Sequence, residues 1–210
     1  MSNSGGDLDN STGIEGATDG TKIGNVSDAL KVTGVLTSSP GFFTSATYSA
    51  SATNFVPPAS ATDVFTITGS ATKTIKINDF GFSSTTTAGS GIALGISFIK
   101  RSTADSGGTS VTATNVPHDS ANAAATAVVR HYTANPTLGT SVGSIRSRRI
   151  IVPAAGSNGS GTAGGSEEEF NVRPGQPIIL RGVTEQFCIN LNGTSITGPV
   201  SAAFVEWVEE

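Results

Sequence analysis

The side chains best suited to chemistry in this chain are few and scattered. There are two histidines, His118 in VPHDS and His131 in VRHYT, and one cysteine, Cys188 in QFCIN. A catalytic zinc site uses three protein ligands and a structural one four, with Cys or His closely spaced. Two separated imidazoles and a lone thiol do not make that pattern, so no metal and no other cofactor is expected. His118, beside Asp119 in a loop, reads as solvated, and His131 as a strand residue with a satisfied tip. Cys188 has no partner for an intramolecular disulfide. It reads as a small buried or half-buried residue on the strand face opposite Phe187, Ile189 and Leu191.

Gly139-Thr140-Ser141-Val142-Gly143 matches G-x-S-x-G, the nucleophile elbow of α/β-hydrolases. That elbow needs a strand-turn-helix setting and a triad whose acid and histidine follow the serine. Here the strand-like SIRSRRIIV follows, and both histidines precede Ser141. The match therefore reads as a turn, and no catalytic residue is assigned. Gly159 to Gly165 lacks the G-K-[ST] of a phosphate loop and reads as a flexible loop.

Asp7-Leu8-Asp9-Asn10 lacks the glycine and distal glutamate of an EF-hand loop. Glu167-Glu168-Glu169 is consecutive, so in a strand its carboxylates alternate between faces. Both read as solvated surface. The basic residues concentrate at Arg146, Arg148 and Arg149, with Lys100 and Arg101 elsewhere. Arg146 and Arg148 share one strand face, which makes them a candidate docking surface for an acidic partner through charge-assisted hydrogen bonds; a solvated face is the other reading.

These residues are set in a chain of 210 with 26 glycines and only 13% charged residues, against about 25% in an average soluble domain. Helix formers are scarce, and Ser, Thr, Ala and Gly dominate, so many short strands joined by turns are expected. The net charge of −4 is mild and argues against a phosphate-tracking surface, so nucleic acid is not expected as a partner. MSNSGGDLDNSTG has neither a basic nor an apolar region of a secretory signal, and no apolar run approaches a membrane span. No membrane contact is expected.

Met1 to about Gly20 is polar and nearly free of large apolar residues, the composition of an arm that cannot fold alone. In DGTKIGNVSDALKV, from Asp19 to Val32, the apolar points Ile23, Val26, Leu30 and Val32 are further candidates for docking. Gly34 to Ser60 reads as a Ser/Thr/Pro-rich connector with Phe42, Phe43, Tyr48 and Phe55 as aromatic anchors. The expected organisation is thus an extended N-terminal arm and connector over 1–60 and a folded domain over 61–210.

That domain opens with DVFTITGSATKTIKINDFGF, Asp63 to Phe82, which reads as a β-hairpin: Phe65 and Ile67 alternate against Val64, Thr66 and Thr68, and Ile75 and Ile77 resume after a Gly-Ser-Ala turn. The apolar parity switches between Ile77 and Phe80, which predicts a bulge or bend near Asn78-Asp79. Further strands are expected at Ile92 to Phe98, Val111 to Val116, Ala125 to Thr133, Ser144 to Val152, Glu167 to Val172, Gln176 to Arg181, Gln186 to Leu191 and Val200 to Val208. One or two helical turns over Asn122 to Val129 are the alternative there. Pro174-Gly175 reads as a tight turn. About nine or ten strands without a fixed repeat define an antiparallel β-sandwich, with a jelly roll as the expected form.

DGTKIGNVSDALKV resembles a segment near the N-terminus of small structural virion proteins of tailed bacteriophages, where it precedes a Ser/Thr/Gly-rich β-domain. DVFTITGSATKTIKI resembles the opening of that β-domain. The resemblance implies a non-enzymatic virion protein, assembled in the host cytoplasm. The first placement is a capsid decoration or cement protein, trimeric, whose arm staples the major capsid protein. The alternative is a tail, baseplate or fibre protein whose β-domain contacts a host receptor or glycan. A free carbohydrate-binding module or hydrolase is disfavoured, because Trp207, Tyr48 and Tyr132 are too few for a sugar-stacking platform.

Overall fold

Alternating apolar residues recur through the chain at the two-residue period of a half-buried strand. A computed structural model describes residues 45–58, 62–86, 90–152, 154, 166–171, 176–192 and 199–210. Among these, twelve strands form: β1 (Ala46–Phe55), β2 (Asp63–Thr68), β3 (Thr74–Thr86), β4 (Ile92–Arg101), β5 (Thr109–Thr112), β6 (Asn115–Pro117), β7 (Val128–Ala134), β8 (Ser141–Val152), β9 (Ser166–Asn171), β10 (Ile178–Arg181), β11 (Gln186–Asn190) and β12 (Pro199–Glu209). The arm, the Ile23, Val26, Leu30 and Val32 cluster, the Asp7 to Asn10 cluster, the Gly159 to Gly165 loop and the Pro174-Gly175 turn lie outside the described residues.

The strands make two antiparallel sheets. The first runs β10-β3-β12-β1-β6, with β9 also pairing β3, and the second runs β5-β7-β2-β11-β4-β8. The sheets pack face to face through an aromatic knot: the Phe80 ring, from the first sheet, meets Phe98 and Phe187 of the second edge-on at 4.5 and 4.6 Å. Such edge contacts add about 0.5–1.5 kcal/mol each beyond burial itself. Farther along the first sheet, Trp207 is fully buried and stacks on Tyr48 at 5.8 Å.

Four pairings nest inside one another: β1 with β12, β2 with β11, β3 with β10 and β4 with β8. From β1 to β4 the chain changes sheet at every step. The segment β5-β6-β7 is an excursion: β6 joins the first sheet beside β1, and β7 joins the second beside β2.

Two expectations are corrected. β2 and β3 are both present, but they are not a hairpin, because each belongs to a different sheet. The Gly69 to Lys73 connection crosses between layers, with Gly69 N–H donating to Glu185 O at 2.9 Å. β2 is buried along its whole length, so its polar-looking face is also covered, and alternation alone does not reveal that second cover. Also, residues 46–55 of the expected connector form β1, which buries Tyr48, Ala50, Ala52 and Phe55 against the core. The unit that contains β1 spans Ser45–Glu210. In β7, strand forms only from Val128 onward, and Asn122 to Val129 holds no helix.

The parity switch in β3 is a bulge. Glu206 pairs with Asp79 and Trp207 with Ile77, so Asn78 is the extra residue. It returns Phe80 and Phe82 to the buried side already used by Ile75 and Ile77.

Candidate functional site

The outer face of the second sheet should be polar and wet, yet its centre is dry. Thr66, Cys188 and Ile99 stand in one cross-strand row, opposite in facing to Phe65, Ile189 and Phe98. Cys188 is nevertheless fully buried, on the face its sequence parity indicated. What covers it is a lid of two connections, Ser102 to Gly108 after β4 and Asn135 to Thr140 before β8.

The two lid segments are laced together. Ser106 and Thr137 exchange backbone hydrogen bonds of 3.0 and 2.7 Å, and Ser102 N–H donates to Thr140 O at 2.9 Å. Gly139 is needed at the crossing, because a Cβ there would lie 1.8 Å from Thr103 O. The G-x-S-x-G motif thus begins with a packing glycine, and Ser141 is an exposed residue opening β8, so Ser141, Val142 and Gly143 lie in a strand where a turn was expected, and no helix follows.

Beneath the lid sits a charged cluster. Arg101 at the end of β4 forks onto Asp63 at the start of β2, with Nε to Oδ2 at 2.5 Å and Nη2 to Oδ1 at 2.9 Å. Both side chains are almost wholly buried. Asn190 Nδ2 donates to Asp63 Oδ1 at 2.7 Å, and Arg101 Nη1 to Gly139 O at 2.7 Å. A bulge between Ile189 and Asn190 puts Asp63 opposite Asn190, on the lid side that alternation from Phe65 would deny it. Burial alone would raise the Asp63 pKa, but bonds from Arg101, Cys188 and Asn190 and the guanidinium charge outweigh it and hold Asp63 below its usual value.

The lid contributes Asp105. Its backbone N–H donates to Gln186 Oε1 at 3.0 Å, and its Oδ1 accepts from Gly139 N–H at 2.8 Å and lies 3.4 Å from Arg101 Nε. Among the described residues, Asp105 Oδ2 is buried without a hydrogen-bond partner. Burial, and then the neighbouring Asp63 carboxylate, push Asp105 up to about 7. Burial likewise raises the Cys188 thiol well above its ordinary value.

Carboxylate oxygens of Asp63 and Asp105 and the Cys188 Sγ lie within 4.8 Å of one another, a spacing that metal ligands share. The chemistry suits a proton better than a cation. Both Asp63 oxygens are taken by Arg101, and the guanidinium already supplies the positive charge that a cation would bring.

A second buried carboxylate closes the other side of the sandwich. Glu209, at the end of β12, accepts from Thr126 N–H, Thr126 Oγ1, Ala127 N–H and Trp207 Nε1 at 2.7 to 3.0 Å. Burial works to raise its pKa, and those donors overcome it and lower it. Together with Tyr48 Oη donating to Ala123 O at 2.8 Å, this fixes the β6–β7 loop over the rim of the first sheet.

Arg146 stands opposite Phe98 and Arg148 opposite Ile96. Directly opposed residues share a face, so both arginines spring from the core-facing side of β8, but at the margin of the sheet, where Arg146 is half-buried and Arg148 is exposed and reaches the open trough beside the strand. Each has a partner within the chain. The outward side of β8 carries instead Ser147, bonded to Ser97 at 2.9 Å, with Arg149 and Ile151 exposed. Ala93, Gly95, Ser147, Arg148, Arg149 and Asn192 line an open trough of about 370 Å³ there.

His118 is exposed in its loop, 3.9 Å from Glu206. His131 is a strand residue of β7, as expected; it packs on Phe55 at 5.0 Å, burial lowers its pKa, and its buried Nδ1 has no hydrogen-bond partner among the described residues.

Sequence reasoning missed Asp63, Arg101 and Asp105 as a set. The available signal was charge scarcity: an Asp opening the apolar run VFTIT and an Arg closing IALGISFIK are the ends of two buried strands. No family model, curated protein or solved structure matches this chain.

Proposed function

We propose that the chain is a non-enzymatic structural protein of a tailed-phage particle, a capsid decoration or cement protein built on a jelly roll. The observation that carries this reading is the nested pairing of β1 with β12, β2 with β11, β3 with β10 and β4 with β8. That is the order of a long hairpin rolled into two sheets, with β5-β6-β7 as an insertion and β9 as an added edge strand. Jelly rolls serve as viral capsid and lectin domains. Of the buried ionisable groups, Arg101 and Glu209 fasten loops, through Gly139 O and the Thr126 and Ala127 amides, and Asp63 holds Arg101 in place, the use a building part makes of them. In this reading the segment before β1 carries attachment to the major capsid protein, the sandwich stands outward, and the working assembly is a trimer.

A second reading, a tail or baseplate protein whose sandwich meets a receptor or glycan, draws on the trough beside Arg149 and Ser147. Imaging the particle at a resolution that separates head from tail decides between them. Density for the sandwich on the capsid faces is expected. Density confined to the tail transfers the protein to the second reading, and a particle lacking the protein overturns both. Light scattering of the purified protein is expected to give a trimer; a strict monomer without affinity for capsids removes the decoration role.

A further inference from the structure

The lid over the second sheet is held by two carboxyl groups that face each other around one guanidinium. Asp63 and Asp105 oxygens lie within 4.8 Å, both side chains are wholly buried, and the fork of Arg101 is committed to Asp63. Asp105 Oδ2 has no donor among the described residues. One proton repairs this, because a protonated Asp105 becomes a donor to the adjacent Asp63 carboxylate, and the pair then carries a single negative charge balanced by Arg101. Loss of that proton leaves two buried anions and one cation.

We propose that Asp105 is a proton-operated latch: the lid formed by Ser102 to Gly108 and Asn135 to Thr140 stays closed while Asp63 and Asp105 share a proton, and opens when it leaves. β2 presents Asp63, β4 presents Arg101, β11 presents Cys188, and β7 presents Tyr132, whose pKa is raised by burial first and by Asp105 next. None supplies a second cation directly to Asp105; the charge of Arg130 acts on Tyr132. The hydrogen bond from Gly139 and the charge of Arg101 favour ionised Asp105, but burial and Asp63 outweigh them and place its titration at about 7. Opening is local, since the strands beneath are held by the aromatic knot and their own ladders.

Cys188, the single cysteine of the chain, lies under the lid and reports its opening. The experiment measures N-ethylmaleimide labelling of the full chain from pH 5.5 to 8.5, each rate divided by that of the urea-unfolded protein at the same pH. That ratio cancels the thiol's own ionisation. The normalised rate is expected to rise about tenfold between pH 6 and 8, following the ionised fraction of a group titrating near 7, and to be flat in Asp105→Asn, whose amide donates at every pH. A flat wild-type profile, or an equal rise in Asp105→Asn, overturns the latch. Hydrogen exchange on the wild type tests it without any variant: the Gly139 amide should lose protection over this interval while Phe98 and Ile189 keep theirs. Uniform loss across the sandwich would equally overturn it.

Discussion

Glu209 and Asp105 are both carboxylates buried at the margins of the sandwich, and they have been treated oppositely. Glu209 is surrounded by four neutral donor groups, and among the described residues no other anion acts on it, so its charge is stabilised and its pKa lowered despite burial. Asp105 has one backbone donor, a guanidinium already engaged elsewhere, and a second carboxylate beside it, so its charge is resisted. Burial is common to both and decides neither. The count of donors, and whether another anion shares them, makes one group a fixed anchor and the other a titrating one.

Removing the cation from the lid cluster is the harshest way to test this contrast. Arg101→Ala leaves Asp63 buried and unpaired, and a loss of about 3–5 kcal/mol is expected in urea unfolding. A loss below about 1 kcal/mol would mean that water reaches the cluster. Glu209→Gln keeps the shape but removes the charge from four hydrogen bonds; about 2 kcal/mol should be lost, within the range for bonds to charged groups. Protection of the Thr126 and Ala127 amides should fall with it. If stability holds and those amides stay protected, Glu209 is not the anchor.

The pH dependences should have opposite signs. Glu209 is lowered from 4.5, so its contribution is present above that value and is lost as pH falls through its folded value. Asp105 is raised from 3.8 to about 7, so the folded state binds the extra proton within that interval. Its favourable contribution is full below 3.8, declines as pH rises, and is gone above about 7. Asp105→Asn should therefore stabilise the protein at pH 8, by at least about 1.4 kcal/mol, the worth of a single pKa unit. At pH 4 it should do little. Equal effects at both pH values would break the contrast. The smallest effect is expected from Glu210→Gln, which removes an exposed ion pair with Lys76; its unfolding midpoint should be unchanged within error.

Much of this fold was legible in alternation. β4, β11 and β12 appear where their apolar residues repeat every second position, and the parity of Ile77 and Phe80 located the bulge at Asn78. The partition into sheets was not legible, since nothing local in Gly69 to Lys73 distinguishes a turn that folds β3 back onto β2 from one that carries it across the core. β1 was obscured by its composition: ATYSASATNF buries two alanines, which carry little apolar signal. Asp63 and Arg101 are 38 positions apart and meet only through the β2–β11–β4 ladder. The Arg146 and Arg148 pairing was legible as a shared face; that this face is the core-facing one depends on register with β4, which no single strand encodes.

The place of β12 sets an order on how the molecule can be made. It lies between β3 and β1 and pairs with both along most of its length, Ala46 meeting Glu209 at one end. A ribosome releases residues 46–86 long before it reaches 199–209, so a nascent chain holds β1 and β3 with an unfilled gap between them. The first sheet cannot close by growing from the N-terminus; it must wait for its central strand. Such long-range closure is slow and leaves strand edges bare meanwhile. Translation halted before Pro199 should yield a chain prone to aggregate rather than a smaller stable domain.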